Sequence, residues 1–180
     1  MNDTTQKKII SSPDLKSYFF DRLEEINQKA FLNLPQEALF YSSHLLEKYS
    51  QSSEFFEMDE GKVKEKILCL KLLDTKDKNS EEYARVLKDV GDTSLFMCGF
   101  FARSLERKIV DSQYYEKMGT TAYQHLNQMV PSYLDTPSFY KSLAGIFRYI
   151  AQLFALLAKE SHIYSQPQAI YLQSTLLKAS

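Results

Sequence analysis

The chain has 180 residues, with 22 Lys and Arg against 23 Asp and Glu for a net charge of −1, so no bulk field draws it to nucleic acid or an anionic membrane. Hydrophobic residues make up 44% and charged residues 25%, which excludes the low-hydrophobicity, high-charge regime of disordered chains. This length fits one core, and the expected division is a loose N-terminal tail over 1–11 and a single helical domain over 12–180.

Lys7 and Lys8 are followed by no apolar run of signal-peptide length. The two cysteines, Cys69 and Cys98, sit among apolar residues far apart in sequence and read as buried thiols rather than a disulfide framework. Both observations point to the cytoplasm. Ser12-Pro13 supplies an N-cap hydroxyl and a proline at the first helical position. Leu15, Tyr18, Phe19, Leu23 and Ile26 then recur at steps of three and four, predicting a first helix with these residues on its buried face. Asn33 to Pro35 breaks the pattern, and a second helix is predicted over Gln36 to Tyr49, with Ala38, Tyr41, Leu45 and Tyr49 facing one way.

Residues Lys62 to Leu73 contain an apolar run compatible with a strand, but their length and only two β-branched residues, Val63 and Ile67, favour a helix. After the polar stretch Asp74 to Asn79, Ser80 is expected to cap a helix that opens with Glu81 and Glu82 at the positive end of the macrodipole. Gly91 is expected to stop it. Asp92 then caps a helix over Leu95 to Arg107, and Asp111 one over Gln113 to Met129, closed by Pro131.

Thr136-Pro137 repeats the cap-then-proline signal ahead of a long helix over about 137–160. Phe139, Leu143, Ile146, Ile150, Leu153 and Leu157 form one apolar seam, and Tyr140, Ala144, Phe147, Ala151, Phe154 and Ala158 form a second beside it. Two seams require at least two helical neighbours. The most apolar stretch, Tyr149 to Ala158, is about half the ~20 residues of a membrane span, so no span is expected there. A short last helix is predicted over Pro167 to Leu177. The expected fold is therefore all-α: a single-domain bundle of about six or seven helices with the long helix at its centre.

Catalytic and cofactor signatures are sparse. His44, His125 and His162 lack the one-turn companions that a helical zinc or di-iron site needs, and no metal or other cofactor is implied. No glycine-rich phosphate loop and no Gly-x-Ser-x-Gly elbow occurs. The acidic pairs Glu24-Glu25, Asp59-Glu60 and Glu81-Glu82 point about 100° apart on a helix and read as solvated faces or helix starts.

The segment from Gly91 to Lys108 is the most distinctive. Gly99, Phe100 and Phe101 suggest a close helix crossing or a pocket, and Arg103, Arg107 and Lys108, with Tyr114 and Tyr115, suggest an anion- or partner-binding patch. The competing reading is a tight crossing followed by a basic helix C-terminus that complements the dipole. The segments Gly91 to Phe101 and Val110 to Gly119 resemble those of bacterial helical proteins, a likeness that names no family and implies no activity.

Twelve Phe and twelve Tyr, many as doublets, exceed what one core face takes up. A non-enzymatic interaction or regulatory role is therefore expected, with an aromatic and partly basic surface presented to a protein partner or to a second copy of the chain. The alternative is a small apolar or aromatic ligand in an inter-helix cavity; an enzyme with a dispersed site ranks last.

Overall fold

The computed structural model describes residues 12–50, 56–59, 62–65, 79–102, 112–129 and 138–160. Five helices make up most of this: α1 (Ser12–Lys29), α2 (Gln36–Tyr49), α3 (Ser80–Phe100), α4 (Ser112–Met129) and α5 (Phe139–Glu160). Between α2 and α3, β1 (Phe56–Asp59) pairs antiparallel with β2 (Lys62–Glu65), with Phe56 opposite Glu65 and Asp59 opposite Lys62. The helix expected from Lys62 thus begins as a strand instead. The order Lys62-Val63-Lys64 alternates charged and apolar residues with the two-residue period of a strand. The remainder of that segment, the tail over 1–11 and the helix expected over 167–177 lie outside the described residues.

α1 and α2 form a hairpin pinned by one buried amide. Asn27 Oδ1 accepts from the Leu34 amide at 3.0 Å, and its Nδ2 donates to the Leu34 carbonyl at 3.3 Å, satisfying both polar groups of a connecting backbone that leaves the helix. Phe31 and Asn33 take positive φ of 54° and 52° to make this turn. Phe19, Leu23 and Ile26 are buried as their spacing predicts, but Tyr18 is 39% exposed. It flanks the stripe, in ring contact with Phe19. α2 keeps its predicted bounds and buries Ala38, Leu45 and Tyr49, together with Leu39 and Leu46.

α3 departs most from expectation. It is capped by Asn79 rather than Ser80, in a reciprocal capping box with Glu82. It then runs through Gly91 without a break. A Cβ at Gly91 would stand 2.5 Å from the Tyr123 ring, so the glycine is there to admit a neighbouring side chain. The α-helical apolar spacing of Leu87, Val90, Leu95 and Cys98 continues across it, and all four are buried. Burial of that face outweighs the roughly 1 kcal/mol a glycine costs inside a helix.

α3, α4 and α5 pack side by side. Cys98 Sγ meets the Ser112 carbonyl at 3.2 Å while Gly91 faces Tyr123, so α3 and α4 are antiparallel. Arg148 bonds Glu116 while Lys141 bonds Asn127, so α4 and α5 are antiparallel too. α5 touches each of the other four helices. Leu143, Ile150, Leu153 and Leu157 of one seam and Ala144, Phe147, Phe154 and Ala158 of the other are buried, while Phe139, Ile146, Tyr140 and Ala151 are half-buried. By length and composition α5 is apolar enough to cross a membrane; here its two seams are packed against other helices. Its first residue is Phe139, and Ser138, at φ 42°, supplies the first accepting carbonyl to Ser142. Thr136 and Pro137, the expected start, lie outside the described residues, as does Asp111.

Candidate functional site

Two features gather chemically distinctive residues: a buried polar cluster where α2, α3 and α4 meet, and an open aromatic groove between α1, α2 and the start of α5.

Asp92 is the hub of the first. As an expected N-cap it should sit at a helix start in solvent; within the continuous α3 it is 1% exposed. Its Oδ1 accepts from the Tyr123 hydroxyl at 2.8 Å and from the Tyr41 hydroxyl, and its Oδ2 accepts from Lys88 Nζ at 2.6 Å, one turn earlier on α3. A buried carboxylate is tolerable only when paired and hydrogen-bonded, and this one is both. Lys88 also lies 5.0 Å over the Tyr41 ring. Burial first, then the negative charge of Asp92, pushes the phenols of Tyr41 and Tyr123 well above the usual tyrosine range. Tyr140 stacks on Tyr123 at 6.0 Å and is raised as well, mainly by burial, with the Lys88 charge opposing. Both phenols bound to Asp92 are thus proton donors, fixed in one direction. Thr93, next to Asp92 in the chain, shares a hydrogen bond of 2.8 Å with Tyr49. The cluster sets the register of three helices, and its carboxylate has no open face to a solute.

The groove has a volume of about 720 Å³ and is lined by Phe20, Gln36, Glu37, Phe40, Tyr41, His44 and Phe139. Phe40 is 52% exposed, and Lys16 Nζ sits 4.5 Å over its ring. His44 Nδ1 lies 2.9 Å from the Phe40 carbonyl, and its ring meets that of Phe40 edge-on at 4.5 Å, so the histidine buttresses the wall. Tyr41 joins the two features: its ring packs on Phe139 at 5.2 Å in the groove and its hydroxyl reaches Asp92.

Of the residues singled out from the sequence, Arg103, Arg107 and Lys108 lie outside the described residues, as do His162 and Cys69. Tyr115 is buried and Tyr114 half-buried, their rings 5.3 Å apart. Gly99 makes a close crossing: a Cβ there would stand 2.4 Å from Phe154 Cβ and 2.8 Å from the Ala151 carbonyl. Phe100 stacks on Phe96 at 4.9 Å and Phe101 is buried against both, so this doublet is packing. Two of the acidic pairs behave as a helix start and a face, Glu82 in its capping box and Glu25 paired with Lys29 and Arg22, while Glu60 of the third lies outside the described residues. His125 is exposed, about one turn beyond the buried Ala122. Among the described residues no three His, Cys, Asp or Glu side chains converge as metal ligands.

The polar cluster escaped the sequence reading because its members stand 31 and 51 residues apart. The one local sign was Lys88 four residues before Asp92 inside an otherwise apolar helix face. No protein-family model matches this chain, and no curated protein or solved structure matches it.

Proposed function

We propose that the chain is a non-enzymatic interaction protein whose groove between α1, α2 and α5 receives the apolar face of a helix from a protein partner. The observation that carries this is the half-exposed Phe40 in an open groove whose other walls are Phe20, Tyr41, His44 and Phe139. Aromatic residues with a polar edge are favoured at interface centres, and helix-in-groove docking uses apolar anchors one turn apart. Gln36 and Glu37 supply a polar rim at the α2 N-terminus. The rigid Asp92 cluster supports the reading, because it anchors the groove wall at Tyr41 before any partner arrives. The alternative occupant is a small aromatic molecule. The volume falls within the range of small-ligand sites, but such sites bury most of the ligand surface, whereas this one is open.

The same proposal extends to the remaining expectations: a bundle completed to six or seven helices around α5, cytoplasmic residence, and a basic contribution to the partner surface from Arg103, Arg107 and Lys108. The test is cross-linking capture by wild type, by Phe40→Glu and by Tyr149→Glu, a control at a second half-exposed ring. A partner lost only with Phe40→Glu supports the groove. Equal capture by all three folded proteins overturns it, and saturable binding of a small aromatic probe without any captured protein favours the alternative.

A further inference from the structure

The groove at Phe40 is apolar along its middle and charged at its two ends, with opposite signs. Lys16 Nζ stands over the Phe40 ring, and eight residues later on α1 Glu24 Oε1 accepts from Gln36 Nε2 at 2.9 Å, so α1 and α2 run antiparallel along the groove. The end where α1 turns into α2 therefore carries Glu24 and Glu37, and the far end carries Lys16 and His44. Lys88, over the Tyr41 ring, adds no net charge because it pairs with Asp92. Among the described residues Lys16, Glu24 and Glu37 have no counter-charge, whereas Arg22, Glu25 and Lys29 elsewhere on α1 and Lys48 on α2 are each paired. Asp21 and Glu47 are unpaired too, but neither lines the groove nor bonds through its side chain to a residue that does.

We infer that the partner helix carries an acid and, about two turns after it, a base, with two large apolar residues one turn apart between them; this rests on the helix-in-groove reading above. The spacing follows from α1. Lys16 and Glu24 are eight residues apart, about 12 Å along a helix, and a helix lying alongside presents positions about seven or eight apart to the same face. The acid seats at Lys16 and His44, the base at Glu24 and Glu37, and the apolar pair meets Phe20 and Phe40. Charge order also fixes direction. An acid in the first turn and a base in the last is the order that a helix's own dipole favours, so the partner runs parallel to α1 with its N-terminus at Lys16. The partial positive charge of that terminus opposes Lys16, but a full carboxylate outweighs it. Exposed ion pairs contribute little affinity and act mainly to choose between partners, so the groove discriminates by charge order rather than by apolar content.

The probe is a short stapled helical peptide with Glu, two leucines one turn apart, and Lys two turns after the Glu, titrated against the full-length protein at low salt. It binds about fivefold more tightly than the same peptide with Gln in both charged positions, and the difference fades at about 1 M salt. Lys16→Glu weakens binding of the Glu–Lys peptide and strengthens binding of a Lys–Lys peptide, a reversal that loss of folding cannot produce. A nitroxide on the N-terminus of the Glu–Lys peptide broadens amide signals around His44 more than those around Gln36. Equal affinity of all three peptides for wild type, with Phe40→Glu abolishing binding, overturns the charge order and leaves the groove reading standing. Stronger broadening around Gln36 also overturns the inference, through its direction. Absence of any binding that depends on Phe40 overturns both the inference and the groove reading.

Discussion

Replacing Asp92 by Ala leaves the Tyr123 hydroxyl, in a side chain with no exposed surface, without its acceptor, and strips Tyr41 of a bond to a charged group. An orphaned buried hydroxyl costs about 1–3 kcal/mol and a lost bond to a charge about 1.5–3 kcal/mol, so Asp92→Ala should destabilise by about 3–5 kcal/mol. Asp92→Asn should cost far less. Both phenols donate to the same atom, Oδ1, and an amide oxygen in that place offers two lone pairs. Only the Lys88 contact changes sign, from attraction at Oδ2 to donor against donor. Lys88 is 44% exposed and can turn to solvent, which holds the cost to about 1–2 kcal/mol. Lys88→Met alone strands a buried carboxylate without its counter-charge, so it should cost more than the Asp92→Asn, Lys88→Met double variant, in which neither charge remains. Denaturant unfolding of the four variants and wild type, at matched slopes, measures the series. If Asp92→Asn proves as damaging as Asp92→Ala, or the double variant worse than Lys88→Met, the assignment of phenol donors to a shared oxygen is wrong.

The same cluster predicts alkaline lability. Tyr41 and Tyr123 keep their protons in the fold beyond the ordinary tyrosine value of 10.0, whereas the unfolded chain loses them there, so the stability they contribute is complete below pH 10 and falls as pH rises. Tyr41 and Tyr123 together give a slope of about 2.7 kcal/mol per pH unit above 10, which the raised Tyr140 steepens and which phenolate absorbance and unfolding followed together would reveal; Tyr123→Phe should remove about 1.4 kcal/mol per pH unit of it, and an unchanged slope counts against burial of that phenol. The glycines should also separate. Gly145 has nothing within 4 Å of a built Cβ and is exposed, so Gly145→Ala should stabilise by about 0.5–1 kcal/mol, whereas Gly91→Ala, driven into the Tyr123 ring, should destabilise by about 1–3 kcal/mol despite the same gain in helix propensity. Thermal melts of the pair decide it, and equal shifts would remove the close approach at Gly91.

Apolar period carried most of the helical architecture. α2 and the double seam of α5 were legible from spacing alone, because a stripe that must leave water is written into the sequence at three- and four-residue steps whatever it later packs against. Local chemistry misled at Gly91-Asp92. A glycine followed by an aspartate is an ordinary helix stop and cap, and nothing nearby in the chain shows that Tyr123 fills the space above the glycine or that Tyr41 and Tyr123 donate to the carboxylate. Likewise Phe40 and Phe100 are the same residue type in similar doublets, yet one borders an open groove and the other stacks in the core. Which aromatic is covered, and which acid is buried, depends on partners from distant helices, and those are chosen only when the bundle closes.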